Sequence, residues 1–287
     1  MSRIAYVNGR YVPHGTANVH IEDRGYQFAD GVYEVCEVRD GHLIDTKRHL
    51  ARLGRSLSEL DIAKPMNDNA LVHVLRETVR RNRVRDGLVY LQVTRGVAKR
   101  DHAFPAAGTK PALVVTARAA DPRAAEAKYE HGVAVVTVPD NRWERVDIKT
   151  VSLLPNVLAK QKARAAGAYE AWFVDADGHV TEGSSTNAWI VTKDGTVVSR
   201  QAESGILRGI TRTTLLEAMA DEGLAFEERA FTVDEAKGAK EAFITAATTI
   251  LIPVTSIDGE TVGNGHPGET TGRLREAFRR FTEATAI

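Results

Sequence analysis

Four dipeptides, Asn8-Gly9, Asp40-Gly41, Asp177-Gly178 and Asp194-Gly195, constrain the fold of this chain more than any other feature. Each lies between short β-rich runs, and such pairs tolerate the left-handed backbone that a tight hairpin turn demands. Residues 5–7 with 10–12, and 32–38 with 42–44, are therefore read as hairpins, and 170–174, 186–191 and 196–199 as strands joined at the other two turns. Between these blocks the period changes. Leu50, Leu53, Leu57 and Leu60 recur at helical spacing from Asp45 onward, and Leu71, Leu75 and Val79 do so over 68–82, beyond Pro65. Strands are expected over 88–95, 111–117, 133–138, 241–245 and 251–254. Helices are expected over 156–166, stopped by Gly167, over 211–222, closed by Gly223, and over 269–284. Residues 96–109 read as a loop. Strands outnumber helices and hairpins dominate, so the class is α+β with a mixed or mainly antiparallel sheet, not a regular βαβ series.

Ala119-Ala120-Asp121-Pro122-Arg123 is the best linker, because Asp-Pro breaks regular structure among small residues. The expected organisation is a small domain over 1–118, a linker over 119–124 and a larger domain over 125–287. A chain of 287 residues buries enough surface to need no staples. Its formal net charge is zero and its cations are scattered, which argues against nucleic acid or an acidic membrane as partner. One cysteine, Cys36, excludes an intrachain disulfide and fits the cytoplasm. No CxxC or CxxH pair suggests a metal, and neither a signal-peptide run nor a membrane-length apolar stretch is present.

Several residues have the character of chemistry. Lys149 lies among Val146, Ile148, Val151, Leu153 and Leu154; an amine attacks an aldehyde only when unprotonated, and apolar surroundings favour that form. Read alone it is a solvated surface charge. Lys160 and Lys162, beside Gln161 and Arg164, look like a solvated helix face. Glu182 falls in a Gly/Ser turn, where a fixed carboxylate would keep a pyridine nitrogen protonated. Gly205 to Arg212 leads into a helix whose N-terminus, with Thr211, suits a phosphate. Arg52 by itself reads as surface. Arg100 and His102, two apart in a cationic loop, suit a carboxylate, and Tyr33 alternates with Val32 like a core residue.

Together these segments resemble the fold type IV pyridoxal-phosphate enzymes, and among them the D-amino-acid aminotransferases. Glu22 to Val35 is similar to the family's N-terminal signature. Leu91–Gly96, Arg142-Trp143, Asp147-Ile148-Lys149, Asn156–Gln161, Thr181–Ser185 and Gly209–Arg212 follow in the family's order. The resemblance implies a two-domain enzyme, a small N-terminal α/β domain and a larger mixed-sheet pseudo-barrel domain, that binds pyridoxal 5'-phosphate and passes through pyridoxamine 5'-phosphate. It makes Lys149 the Schiff-base lysine and Glu182 the partner of the ring nitrogen. Arg52 with the backbone of Ile210 and Thr211 would hold the phosphate, Leu207 would pack on the ring, and Ala247 and Thr248 fall at cofactor positions. Tyr33 with Arg100 and His102 would trap the substrate carboxylate, with Val35 and Thr249 beside the substrate. The Arg-x-His loop comes from the neighbouring subunit in that family, so a homodimer is implied. The expected reaction is ping-pong transamination between D-amino acids, D-alanine and D-glutamate first, and the 2-oxo acids 2-oxoglutarate and pyruvate. The sequence departs at Ala246 and Ala247, where the family has hydroxyls, and at Ile250, where it has a glutamate. An (R)-selective amine or branched-chain transaminase or a lyase on the same scaffold, and a non-catalytic ligand-binding dimer, remain alternatives.

Overall fold

The computed structural model describes residues 3–202, 205–282 and 284–285, and the chain divides into two compact units. The first unit contains residues 1–122, 148–152 and 283–287; the second contains 123–147 and 153–282. The lysine segment thus falls with the first unit.

In the first unit, β1 (Ile4–Val7) and β2 (Arg10–Pro13) meet at Asn8 and Gly9, both at positive φ as the turn requires. The short helix α1 (Arg24–Phe28) precedes β3 (Gly31–Arg39), which turns through Asp40-Gly41 into β4 (His42–Ile44). Two helices, α2 (Thr46–Glu59) and α3 (Asp68–Asn82), lead to β5 (Gly87–Thr94) and β6 (Ala112–Ala119). The sheet is antiparallel throughout, in the order β4-β3-β5-β6-β1-β2, with strand Ala284–Thr285 added beside β4. Leu50, Leu53 and Leu57 of α2 and Leu71, Leu75 and Val79 of α3 join Val32, Cys36, Val89, Leu91 and Val115 in one core. The helical stripe and the strand alternation predict these contacts, because each element hides one face. Burial also pushes the Cys36 thiol pKa well up.

Helix α4 (Pro122–His131) begins at the residue before the second unit starts, and Pro122, expected to break structure, instead occupies its first turn. β7 (Val133–Pro139), α5 (Leu154–Ala165), β8 (Glu170–Val174), β9 (Val180–Gly183), β10 (Asn187–Val191) and β11 (Val197–Ser199) follow. Then come α6 (Ile210–Asp221), β12 (Phe226–Glu228), α7 (Val233–Lys237), β13 (Glu241–Ala246), β14 (Ile250–Ile257), β15 (Glu260–Thr261) and α8 (Glu269–Phe281). The last helix was expected to reach Ala284; Glu283 of that span lies outside the described residues, and Ala284 belongs to the strand beside β4. The sheet order is β12-β11-β10-β13-β14-β7-β8-β9, parallel at β11/β12, β14/β7 and β7/β8.

Its central strands are buried on both faces. Ala188 and Ile190 of β10 join one core with Ile244, Ile252 and Phe231. Trp189 and Val191, pointing the other way, join Phe243, Leu215, Met219, Leu274 and Phe278, so α6 and α8 cover that face. The Trp189 and Phe243 rings stack with centroids 5.5 Å apart. The turn after β8 is tied by Asp175, whose carboxylate accepts from the N–H groups of Asp177 and His179 and from Arg200. Among the described residues no helix is long and apolar enough to cross a membrane.

Candidate active site

In the first unit Lys149 is laid against the start of β3. Tyr33 N–H donates to Lys149 O and Val151 N–H to Gly31 O, both at 3.0 Å, and Thr150 bridges Val32. Lys149 Nζ lies 4.3 Å from the centroid of the Tyr33 ring. The expected wall of apolar neighbours is incomplete: Ile148 is buried, but Leu154 is 68% exposed. An aromatic face lies against the amine.

Tyr33 and Val35 lie on the half-buried face of β3, opposite Val32, Glu34 and Cys36, which corrects the reading of Tyr33 as a core residue. Register sets Tyr33 across from Gln92 and Val35 across from Tyr90. Tyr90 donates its hydroxyl to Gln92 Oε1 at 2.7 Å and tilts against Tyr33, with ring centroids 5.6 Å apart.

The other face of β3 holds an acid in the core. Glu34 is fully buried. Arg52 Nε donates to its Oε1 at 2.7 Å and Arg52 Nη2 to its Oε2 at 2.8 Å, while His49 Nδ1 lies 2.7 Å from Oε2. Burial alone would raise this carboxyl's pKa; the charge and hydrogen bonds of Arg52, then of His49, outweigh it and hold the value at about 2. Arg52 is therefore no surface arginine. His49, Arg52 and Ser56 form one helical stripe, and Ser56 Oγ accepts from Lys149 N–H at 3.4 Å. Glu34 was not singled out in the sequence, although a carboxylate alternating with Val32, Cys36 and Val38 must meet a cation in the core.

The loop with Arg100 and His102 is exposed and held from below. Arg24 Nη1 donates to Asp101 O at 2.6 Å, and Arg24 and Arg95 both donate to Asp30 at 2.7 Å. Arg100 lies 5.0 Å from the centroid of Phe28, and the His102 ring 5.4 Å from it. The two residues thus meet on Phe28; among the described residues no hydrogen bond or ring contact joins either one to Tyr33 within the chain.

The second unit holds Glu182, on strand β9 rather than in the turn beyond it. Arg142 Nη1 donates to its Oε1 at 2.5 Å, Asn187 Nδ2 to its Oε2 at 3.1 Å, and Leu207 N–H to the same oxygen at 3.2 Å. Asn187 Nδ2 also donates to Leu207 O at 3.0 Å. Arg142 is in turn gripped by Asp140, at 2.9 and 2.7 Å, and its guanidinium lies 4.4 Å from the Phe173 ring. Burial opposes charge on both, yet their mutual bonds hold Asp140 below and Arg142 above the ordinary values, with Glu182 adding to the latter.

Leu207, half-buried, precedes Ile210 and Thr211, both buried in the first turn of α6. The N-cap is Gly209, not Thr211, and among the described residues no side chain caps the helix. A Cβ on Gly209 would come within 2.2 Å of Asn187 Oδ1. Ala247, Thr248 and Thr249 form the turn between β13 and β14, and Thr249 Oγ1 is buried without a partner among the described residues. Ile250 follows at φ +57°, a strained setting for a β-branched residue. An uncapped helix terminus, an unpartnered buried hydroxyl and a carboxylate fixed by arginine and amide donors fit a phosphorylated, cationic ring.

Comparison with known proteins identifies the family of the chain. The profile described as "Amino-transferase class IV" matches residues 31–257. A D-alanine aminotransferase of Bacillus licheniformis is 44% identical over 95% of this chain and 94% of its own, and one of Staphylococcus haemolyticus is 38% identical over 97% and 98%. Among solved structures, a T.th. branched-chain amino acid aminotransferase with pyridoxamine 5'-phosphate superposes with a TM-score of 0.88 at 26% identity, covering 98% of this chain and 94% of that one. The Escherichia coli branched-chain enzyme, at 22% identity, shares the fold with a TM-score of 0.89 over 98% and 94%. With the profile spanning most of the sequence and the relatives aligned almost end to end, this chain belongs to the class IV aminotransferase family.

Proposed function

We propose that this protein is a D-amino-acid aminotransferase that uses pyridoxal 5'-phosphate to move the amino group between D-amino acids and 2-oxo acids. The observation that carries the reading is the placement of Lys149, with its backbone bonded to the first residues of β3 and its Nζ over the Tyr33 ring. The cofactor supplies an electron sink and an amino-group carrier. Lys149 would be the residue that holds it, and its amine would be the base that takes the proton from the substrate α-carbon and returns it to the carbon that receives the amino group. Glu182 would pair with the ring nitrogen and keep a proton on it. Arg52 and the N–H groups of Ile210 and Thr211 would hold the phosphate, with Ala247 and Thr248 beside them, and Leu207 would serve the ring. Tyr33, Val35 and Thr249 line the substrate position.

Arg100 and His102 recognise the substrate carboxylate, and we assign them to the partner subunit's substrate in a homodimer. Their exposure, and the support of their loop by Arg24 beneath, suit a group presented outward. Leu154, Val157 and Leu158 of α5, 68%, 59% and 58% exposed, suit a surface covered by a second copy. A single buried, reduced cysteine fits the cytoplasm as its compartment.

Two experiments test the reading. Borohydride reduction followed by peptide mapping places the cofactor on Lys149, and labelling at any other lysine rejects the assignment. Half-reactions with D-alanine, L-leucine and (R)-1-phenylethylamine are expected to run fastest with D-alanine; fastest turnover of the amine would favour an (R)-selective amine transaminase.

A further inference from the structure

A second buried carboxylate lies close to Glu182, and the proposed chemistry makes no use of it. Glu170, the first residue of β8, is completely buried. Ser184 Oγ and Ala171 N–H donate to its Oε1, the latter at 2.9 Å, and Ser185 Oγ donates to its Oε2 at 2.7 Å. Lys160 Nζ, on α5, supplies the counter-charge 3.2 Å from Oε1 and donates to Tyr169 O at 2.6 Å. Lys160 is therefore tied to the interior at its head, although its side chain is 42% exposed and the sequence pattern reads it as a solvated face.

The two hydroxyls this carboxylate holds, those of Ser184 and Ser185, belong to the chain reversal that follows Glu182. Gly183 N–H donates to Thr186 O at 2.7 Å and Ser184 N–H to Ala171 O at 2.8 Å, while Asn156 Nδ2 donates to Ser184 O at 2.9 Å. The reversal leaves no space for a side chain at its start: a Cβ on Gly183 would lie 2.1 Å from Thr186 Oγ1 and 3.2 Å from Glu170 Cγ. One end of the reversal is Glu182. The other is Asn187, whose amide donates to Glu182 Oε2. A shift of the serine pair thus moves a carboxylate and one of its donors together.

We infer that Glu170, neutralised by Lys160, is a positioning residue for Glu182: by gathering the Ser184 and Ser185 hydroxyls it sets the geometry of the reversal on which the Glu182 carboxylate and its Asn187 donor are mounted. The inference rests on the proposed role of Glu182 toward the ring nitrogen. A displaced carboxylate stabilises the protonated ring nitrogen less, so that nitrogen loses its proton at lower pH.

The test compares purified holoenzymes of Glu170→Ala, Glu170→Gln, the double variant Ser184→Ala/Ser185→Ala and, in parallel, Glu182→Gln. For Glu170→Ala and the serine double variant we expect kcat with D-alanine to fall about tenfold with KM nearly unchanged. The pH titration of the visible band should be displaced from that of the parent, and reconstitution of the apoprotein should need more pyridoxal phosphate. Glu170→Gln, which keeps the shape and an acceptor for Ser184, should recover most of the rate. If Glu170→Ala does not fold, the serine double variant carries the test. Unchanged kcat, KM and titration in the double variant, while Glu182→Gln alters them, would overturn the role of Glu170 and leave Glu182 standing. An unchanged Glu182→Gln would remove both.

Discussion

In the first unit a buried acid holds a base in place, and in the second a buried base holds an acid. Glu34, wholly inside the core, receives both arms of Arg52 and the ring of His49. Arg142, 5% exposed, bridges Asp140 and Glu182 and also donates to Thr181 Oγ1. In each case one charge is buried to fix another, and the pairing offsets the cost of taking each charge out of water. The difference lies in redundancy. Glu34 is a single acid with two basic partners and no solvent, whereas Arg142 serves two carboxylates that are 16% and 8% exposed. Loss of the anchor should therefore cost more in the first unit than in the second.

Glu34→Ala is the largest expected effect. It leaves the Arg52 guanidinium buried without its carboxylate, and removal of one partner from a buried pair costs about 4 kcal/mol. A urea or thermal midpoint measures it, and a loss near 1 kcal/mol would show that water or relaxation replaces the acid. The acid limb of stability carries nearly the same energy. The carboxyl's ordinary value of 4.5 is lowered to about 2 in the fold, so its contribution is complete above pH 4.5 and vanishes as pH falls toward 2. That contribution is about 3 kcal/mol. Glu34→Gln should accordingly flatten the difference in urea midpoint between pH 5 and pH 3, and an unchanged slope would assign the acid limb to other carboxyls.

Arg142→Lys sharpens the comparison from the other side. An ammonium cannot reproduce a fork that reaches Asp140 through Nε and Nη2 and Glu182 through Nη1. Charge is retained, so the expected loss is about 2 kcal/mol, below that of Glu34→Ala. A loss exceeding that of Glu34→Ala would reverse the ranking of the two anchors.

The two anchors also differ in how far they were legible. Helices α2 and α3 and the hairpin at Asn8-Gly9 follow from period and turn chemistry, because burial of one face is a local property of the sequence. Lys149, Glu182 and the Arg100/His102 loop were found through motifs in a characteristic order, and each alone would pass for a surface group. Glu34 was legible in principle from strand alternation, but its partners on α2 were not, since register between strand and helix is not encoded locally. Glu170 and Asn187 look like ordinary strand residues until β8 and β9 are paired. Helix α4 was hidden because Pro122 reads equally as a break or as a helix start.

The smallest expected effect comes from an ion pair of the same length as the strongest one. Lys64 Nζ and Asp68 Oδ1 lie 2.7 Å apart, the distance between Arg52 Nε and Glu34 Oε1. The Lys64 and Asp68 side chains are 43% and 50% exposed, while those of Arg52 and Glu34 are 9% and 0% exposed. Water solvates the separated partners of the exposed pair almost as well as they solvate each other, and ordering two flexible side chains offsets the remainder. Lys64→Ala should therefore change stability by less than about 0.5 kcal/mol. Lys64 is the cleaner partner to remove, because Asp68 also faces the N-terminus of α3 and its loss would add a helix-dipole effect. A loss of 2 kcal/mol or more for Lys64→Ala would mean that distance, not burial, ranks the ion pairs of this protein, and the contrast between Glu34 and Arg142 would lose its physical basis.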